Sequence, residues 1–373
     1  MSRTRVFDLD LHTHADPDTG ARVTRLTPPD RVCHRTYFYQ RCFSADGRRL
    51  LFGGNLDGGP HWHLHLLDLQ AHRATQLTDG ERENAFGAFL SPDDAHAWFV
   101  RAERELVQLD LATLNERVVY TVPDGWVGYG TWVANSACTR MVGIEIHADD
   151  WFELDDWTQF AKMFEARPRC RLIRIDLASG AREVVHQRHG WLGHPQYRPF
   201  DDRTVAFCHE GPNDRIDARI WFVDEDGSHV RCGREHAPGE SCTHEFWVPD
   251  GSAMVYVSFQ RGESTRRICR LDPVTLQSQV LATMPPCSHL MSNHDGRLIV
   301  GDGSGSDPYL HLFDLRAGTQ RPLARHDSSW RVRHGNRQVT HPHPSFTPDE
   351  RAVLFTSDRD GEPALYLAEL GAA

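Results

Sequence analysis

Residues 346–361 read FTPDERAVLFTSDRDG, a polar turn signal followed by an apolar run that is typical of a β-strand. The same pattern occurs at six other places in the chain. These copies are FSADGRRLLFGG (43–54), LSPDDAHAWFV (90–100), VANSACTRMVGIEI (133–146), RPFDDRTVAFCHEG (198–211), VPDGSAMVYVSF (248–259) and SNHDGRLIVGDG (292–303). Recurrence at intervals of roughly 43 to 64 residues indicates an array of seven similar supersecondary units.

Each copy is followed by a second unit that reads as strand, turn and strand. Examples are LHLLDLQAHRATQLT (64–78) and LHLFDLRAGTQRPLA (310–324). Together the two units predict one four-stranded meander for each repeat. Because almost no amphipathic helix separates the repeats, the pattern favours propeller blades over a sandwich or a βαβ fold. We therefore predict an all-β fold, a seven-bladed β-propeller.

The two ends of the chain predict how this propeller closes. The seventh repeat stops after its third strand, ALYLAEL (364–370), whereas residues 7–27 offer a turn and a final strand. An amino-terminal strand in the last blade would leave no unpaired edge. Residues 147–169 read as an insertion with a short amphipathic helix between the second and third strands of blade 3. The predicted organisation is one propeller domain spanning residues 1–373.

The composition excludes several classes of partner. The formal net charge is −11, and the chain has no basic run, so nucleic-acid binding is not expected. We also expect no membrane span, and the charged amino terminus, without the apolar core of a signal peptide, predicts a cytoplasmic protein. Nine scattered cysteines without a CxxC pair predict reduced thiols. The sequence does not indicate an oligomeric state.

Histidine is over-represented, with 23 copies, and several histidines fall at equivalent positions of the repeat. His244, His289 and His343 each lie four residues before the residue that opens the turn motif, in three successive repeats. His341 lies two residues before His343, hence on the same strand face if the strand is regular. His194 lies near the start of the corresponding strand of blade 4. Imidazoles that converge at one channel mouth are typical of a divalent-metal site.

Two further residues are candidates for the same face of the propeller. Gln338, in NRQVTHPHPSF, is close enough along the chain to His341 to supply an oxygen ligand, although an ordinary surface glutamine is an equal alternative. Arg219, in DARIW, begins the third strand of blade 4, which places it on the side of the histidines. Taken alone, Arg219 would be interpreted as an ordinary exposed arginine.

Other enzyme classes find little support. The chain lacks the GxSxG motif of a serine hydrolase and the repeated Asp-box of sialidases. The alternative from another class is a non-catalytic propeller that binds a partner or an acidic sugar through the same channel mouth. Such a propeller would not need the histidine set, so we favour an enzyme.

Long stretches of the chain resemble the oligogalacturonate lyases of pectin-degrading bacteria. The clearest are WVGYGTWVANSACTRMVGIEI (126–146), GESCTHEFWVPDGSA (239–253), PCSHLMSNHDG (286–296) and RQVTHPHPSFTPD (337–349). The resemblance extends from residue 26 to the carboxyl terminus. It implies a seven-bladed propeller that cleaves short, often unsaturated α-1,4-linked galacturonides to monomeric 4-deoxy-5-keto uronate. The reaction implied is a β-elimination in the cytoplasm, catalysed by a carbon–oxygen lyase.

The resemblance also implies roles for individual residues. It implies a manganese ion held by three histidines and a glutamine, which fall on His289, His341, His343 and Gln338. It further implies that His244 is the base and that Arg219 binds substrate; position alone leaves open whether His244 is a ligand or the base. His194 and Arg198 are further expected substrate contacts. The ligand set itself suits zinc as well as manganese, so the choice of manganese rests on the resemblance.

One departure from the family pattern concerns the loop between VGDG (300–303) and DPYLHLF (307–313). The resemblance implies a longer loop here, and the loop is predicted on the side of the histidines. Preferred substrate length is therefore the one property that the resemblance does not predict for this chain.

Overall fold

The computed structural model describes residues 5–152, 154, 157–336 and 338–371, and within them it has seven antiparallel sheets, which we number as blades 1 to 7. The amino-terminal strands are β1 (Val6–Asp8), β2 (His12–Ala15) and β3 (Arg22–Arg25). Blade 1 contains β4 (Cys33–Arg35), β5 (Arg49–Gly54), β6 (His63–Asp68) and β7 (Arg73–Gln76). Blade 2 contains β8 (Phe89–Leu90), β9 (His96–Arg101), β10 (Glu105–Asp110) and β11 (Glu116–Thr121).

Blades 3 to 5 follow in the order of the chain. Blade 3 contains β12 (Trp126–Ala134), β13 (Arg140–His147), β14 (Arg169–Asp176) and β15 (Arg182–His189). Blade 4 contains β16 (Leu192–Tyr197), β17 (Thr204–His209), β18 (Ile220–Asp224) and β19 (Arg231–Cys232). Blade 5 contains β20 (Glu240–Trp247), β21 (Met254–Gln260), β22 (Arg266–Leu271) and β23 (Ser278–Met284). One helix, α1 (Trp157–Ala166), lies between β13 and β14.

The carboxyl-terminal part of the chain completes the set of blades. Blade 6 contains β24 (Leu290–Ser292), β25 (Leu298–Asp302), β26 (Tyr309–Asp314) and β27 (Thr319–Arg325). Blade 7 contains β28 (Ser345–Phe346), β29 (Ala352–Ser357) and β30 (Ala364–Glu369). Within each blade the strands of the repeat are hydrogen-bonded neighbours in the order of the chain, which is the meander that the repeat predicts; the amino-terminal strands join blades 1 and 7 in addition.

The chain forms two compact units. Unit 1 comprises Met1–Ala102, Gln108–Arg117 and Pro286–Ala373, and it contains blades 1, 6 and 7. Unit 2 comprises Glu103–Val107 and Val118–Pro285, and it contains blades 3, 4 and 5; blade 2 has residues in both units. Each unit has its own apolar core, with Phe52 and Leu354 fully buried in unit 1 and Ile144 and Leu172 in unit 2. Burial of each such side chain stabilises the fold by about 1.5–3 kcal/mol.

A turn of the same kind connects the first and second strands of every blade. In each turn one backbone N–H donates at 2.9 Å to a carbonyl five or six residues ahead, and the seven donors are Ser44, Ser91, Asn135, Arg198, Val248, Asn293 and Thr347. Carboxylates tighten several of these turns; Asp46 Oδ1, for example, accepts the N–H of Arg48 at 3.0 Å. Because these turns are equivalent, the residue four positions before each donor marks one repeated place in the fold.

The amino-terminal segment completes blade 7 as predicted, and it adds more than one strand. β3 pairs antiparallel with β30, with Val23 opposite Ala368, and Val23 is completely buried. β2 pairs with the outer side of β3 as a fifth strand. β1 instead pairs with β7 at the outer edge of blade 1. The sequence predicted the strand at β3 but not β1.

The segment between β13 and β14 contains the helix at the place where the sequence predicts an insertion. A 3-10 turn at Ala148–Asp150 precedes α1, whereas residues 153, 155 and 156 of the predicted insertion lie outside the described residues. Met163 is completely buried, and Phe160 and Phe164 pack against the core of unit 2. The spacing of these three residues is that of an amphipathic helix, which explains why the helix forms here.

In the described part of the chain, no helix combines the length and the apolarity that crossing a membrane requires. All nine cysteines are free thiols, and seven of them are buried, as their scattered spacing predicts.

Candidate active site and metal centre

Three of the predicted metal ligands form one cluster in unit 1. His289 directly precedes β24, whereas His341 and His343 lie in the loop before β28. One ring nitrogen from each of the three lies within 4.8 Å of the others. The rings of His289 and His343 are 4.0 Å apart between centroids, and both side chains are buried. Spacing of this kind is what a single metal ion requires of imidazole ligands.

The backbone at His343 differs from the regular strand on which the sequence argument depends. His343 has φ 47°, a left-handed conformation that a non-glycine residue seldom adopts, and it lies outside any strand. The imidazoles of His341 and His343 nevertheless converge, with 5.6 Å between ring centroids. The two rings therefore meet through a local turn of the chain and not through strand periodicity. Backbone strain at a non-glycine residue of this kind is common at functional sites.

Asp302, at the end of β25, fixes the orientation of His289. Its Oδ2 lies 2.8 Å from Nδ1 of His289, and its Oδ1 accepts the backbone N–H of His289 at 2.7 Å. Burial alone would raise the pKa of Asp302, but His289 and the hydrogen bonds to it bring that pKa below its usual value. Because the ionised carboxylate accepts the proton on Nδ1, Nε2 of His289 keeps the lone pair that a metal ion needs.

Gln338 begins a 3-10 turn, Gln338–Thr340, and its carbonyl accepts the backbone N–H of His341 at 3.1 Å. Its side-chain oxygen Oε1 is buried and has no hydrogen-bond partner among the residues that the structure describes. A buried amide oxygen without a partner is costly unless something else coordinates it. Three imidazoles and this amide oxygen therefore fit a divalent cation, with no anionic ligand to reduce its charge.

Aromatic rings surround the cluster. The ring of Trp330 lies 4.5 Å from that of His341, and the ring of Phe38 lies 5.7 Å from that of His289. Tyr37 contacts His343 edge-on, at 5.1 Å between centroids. Aromatic surroundings lower the local dielectric constant and so strengthen the electrostatic interactions among the groups they enclose.

His244, the predicted base, lies in a β-bulge of blade 5 in unit 2. The register between β20 and β21 shifts between Thr243 and Phe246, and His244 has φ 54°. His194 occupies the equivalent place in blade 4, where the register between β16 and β17 shifts between Gly193 and Gln196 and φ is 47°. Both side chains are partly exposed. The bulge turns both histidines out of the regular strand alternation.

Arg219, the predicted substrate-binding residue, is buried between two glutamates. Its Nε donates to Glu245 Oε2 at 2.7 Å, and its Nη1 donates to Glu210 Oε1 at 2.9 Å. The Arg219 side chain is only 5% exposed. A guanidinium has five N–H donors, and the structure uses three of them here, counting Nη2 to Glu245 at 3.3 Å. Arg219 is thus held in place by carboxylates and is not the exposed arginine of the alternative interpretation.

Arg198, the remaining predicted substrate contact, lies at the turn end of its strand. It follows β16, four residues after His194, which corresponds to roughly 13 Å of extended chain. Its Nε donates to the carbonyl of Gly251 at 2.8 Å, and its Nη1 lies 3.5 Å from Asp201. The structure does not bring Arg198 together with His194. The contacts of Arg198 instead connect its own turn, at Asp201, with the turn at Gly251.

Comparison with known proteins identifies the family. The sequence model of the oligogalacturonate lyases matches residues 1–373. The chain is 56% identical to an oligogalacturonate lyase of Dickeya dadantii and 56% identical to an oligogalacturonide lyase of Pectobacterium atrosepticum, in each case over 99% of this chain and 98% of the relative. The chain belongs to the oligogalacturonate lyase family.

Solved structures of the family have the same fold. An oligogalacturonate lyase in complex with manganese is 58% identical, with a TM-score of 0.97 over 100% of this chain and 99% of that one. An oligogalacturonate lyase from Vibrio parahaemolyticus is 53% identical, with a TM-score of 0.95 over 99% of both chains. The predicted seven-bladed β-propeller is confirmed.

Three acidic residues that contact predicted site residues were not predicted from the sequence. Asp302, Glu210 and Glu245 are all buried, and each contacts a predicted site residue. A carboxylate in the sequence of a repeat protein is usually part of a turn, so acidic residues gave no distinct signal. A weak signal existed, because Glu245 directly follows His244, and Asp302 ends a strand in the apolar sequence LIVGD. Buried acids need a partner, and each of these three has one, His289 for Asp302 and Arg219 for both glutamates.

Proposed function

We propose that the protein is an oligogalacturonate lyase that cleaves short α-1,4-linked galacturonides by metal-assisted β-elimination. Membership of the family supports the reaction class, and the cluster of His289, His341 and His343 is the observation that carries the mechanism. The products are an unsaturated uronate, which rearranges to the 4-deoxy-5-keto form, and the shortened chain. The cytoplasmic location expected from the sequence stays a prediction.

The reaction removes the proton at C5 while O4 leaves from C4. That proton is only weakly acidic, because it lies next to an ionised uronate carboxylate. A divalent cation at the site would neutralise this carboxylate and stabilise the negative charge that develops as C5 loses its proton. His289, His341, His343 and Gln338 are the residues that would hold it. Manganese is the proposed ion, since a related structure of the family contains it.

His244 is the proposed base. Its bulge places a partly exposed imidazole at the surface of blade 5, and a neutral imidazole can accept a proton near pH 7. Arg219 is proposed to offer its two remaining N–H donors to a substrate carboxylate while Glu210 and Glu245 keep the guanidinium in place. His194 and Arg198 are proposed as further substrate contacts, and the turn contacts of Arg198 make it the weaker of the two.

The test is product analysis with trigalacturonate. We expect the purified protein to generate ultraviolet-absorbing C4=C5 products, with masses that correspond to elimination and not to hydrolysis. Treatment with a chelator should abolish this activity, and added Mn²⁺ should restore it. Hydrolytic products, or elimination that a chelator leaves unchanged, would refute the proposed mechanism.

A further inference from the structure

One hydrogen-bonded network in unit 2 connects His194 with the segment that carries His244. Nε2 of His194 lies 3.2 Å from Glu210 Oε2, and Glu210 Oε1 accepts from Arg219. Arg219 also donates to Glu245, the residue after His244. The two bulges are joined a second time, because Gln196 Nε2 donates to the carbonyl of Glu245 at 3.1 Å. The two bulged histidines of blades 4 and 5 therefore share one support.

The charges of this network are unequal. Glu210 and Glu245 are 6% and 2% exposed, and Arg219 is the cation between them. Burial alone would raise the pKa of Glu210, but Arg219 and His194 hold that pKa well below its usual value, so the carboxylate is ionised. Two carboxylates and one guanidinium have a formal charge of −1, and Glu210 Oε2, the oxygen that faces Nε2 of His194, is not the one that accepts from Arg219.

Cys208, the third neighbour of Glu210, adds no positive charge to the network. Cys208 Sγ lies 3.3 Å from Glu210 Oε2. Burial raises the pKa of the Cys208 thiol well above its usual value, so it donates a hydrogen bond as a neutral group. A neutral thiol beside a guanidinium also makes His194, Cys208 and Glu210 a poor place for a metal cation, although their ligand atoms lie within 4.8 Å of one another.

We propose that His194, held by Glu210, is the general acid that protonates the leaving O4. This inference rests on the proposed lyase function and adds the partner that β-elimination needs besides its base. The side chain of His194 is 24% exposed, so one edge reaches the surface while Nε2 contacts the buried carboxylate. A histidine oriented by a buried carboxylate is the usual arrangement for proton transfer.

The step balances as follows. His244 takes the proton from C5, and the electrons of that C–H bond form the C4=C5 double bond. The C4–O4 bond breaks, its electron pair stays on O4, and the ring proton of His194 is transferred to O4. His244 ends the step protonated and His194 neutral, and exchange with water restores both.

The experiment compares two leaving groups. One substrate is trigalacturonate, whose O4 leaves as an alkoxide and needs a proton; the other is the 4-O-(4-nitrophenyl) ether of galacturonate, whose phenolate leaves without one. His194→Ala should lower kcat/KM for trigalacturonate by about 10²–10⁴-fold, the usual contribution of a general acid, and for the aryl ether by less than about tenfold. His244→Ala should lower both.

Controls separate this role from a structural one. His194→Gln, which keeps a polar side chain, should show the same selectivity as His194→Ala, with unchanged circular dichroism and metal content. His229 forms a similar contact with Asp224, at 2.8 Å in the same blade, and His229→Ala should leave both rates unchanged. Equal losses on both substrates, or no loss, would overturn the assignment. Wild-type protein that eliminates neither substrate would instead refute the lyase function.

Discussion

At the scale of single residues, the metal centre depends on an acid that is not itself a ligand. Asp302 receives the ring N–H of His289 and the backbone N–H groups of His289 and His343. From one buried position it therefore orients the imidazole of His289 and holds the backbone of His343. Carboxylates of this kind raise the basicity of a ligating histidine and fix its tautomer.

Replacement of this acid should weaken metal binding. Asp302→Asn keeps the size of the side chain but removes the charge, so we expect the affinity for Mn²⁺ to fall by about 10–100-fold. Isothermal titration calorimetry of metal-free protein measures this directly. Asp314→Asn, at the turn end of β26 in the same blade, is the matched control and should bind as wild type. Unchanged affinity in Asp302→Asn would show that the contact is only structural.

The proposed ligands and the proposed base should separate in one assay. His289→Ala and His343→Ala should lose metal and activity together, because each removes one of the clustered imidazoles. His244→Ala should keep the metal and lose several orders of magnitude in turnover, since it removes only the proton acceptor. Metal analysis and turnover are measured on the same purified sample. His244→Ala protein without metal would make His244 a ligand and leave the base unidentified.

The repeat explains which of these residues the sequence could predict. His244, His289 and His343 are visible because they recur at one place relative to the turn, and the structure shows His194 at the same place. The contact between Asp302 and His289 does not follow from the repeat. It depends on the pairing between β24 and β25 and on the side-chain conformation of His289. Nothing periodic marks such a residue.

At the scale of elements, the amino-terminal strands contribute unequally to closure. β3 inserts the fully buried Val23 beside β30, whereas β1 lies at an outer edge with mostly exposed side chains. The sequence predicted the strand at β3 because the last repeat visibly lacks one. It could not predict β1, whose three residues have no periodic pattern that distinguishes a strand from a loop.

Truncation should reveal this inequality. Deletion of residues 1–28 removes β3 and exposes the edge of β30, so we expect a large loss of thermal stability and a tendency to aggregate. Deletion of residues 1–8 removes only β1 and should lower the melting temperature by a few degrees at most. Calorimetry or circular dichroism on both proteins makes the comparison. A 1–28 deletion that melts like wild type would contradict the closing role of β3.

At the scale of the whole molecule, seven copies of one turn motif were enough to predict the architecture. Repeat proteins make this possible because each unit buries its apolar face only against its neighbours, so count and spacing predict the fold. The division into two compact units has no counterpart in the sequence pattern, since the repeats continue across the four points where the chain passes from one unit to the other. The prediction of one domain over residues 1–373 stays a prediction.

The metal should stabilise the fold as well as the reaction, because its proposed ligands come from segments far apart in the chain. His289 precedes the first strand of blade 6, and His341 and His343 precede that of blade 7, so a bound ion would join two blades within unit 1. An ion that binds only the folded state adds about 2.7 kcal/mol at a concentration 100 times its Kd. We therefore expect the melting temperature to fall by a few degrees in a chelator and to rise again with Mn²⁺. His343→Ala should melt at the same temperature with and without Mn²⁺, whereas His229→Ala should respond like wild type. If His343→Ala gained as much stability from Mn²⁺ as wild type does, the ion would bind elsewhere, and the proposed ligand set would be wrong.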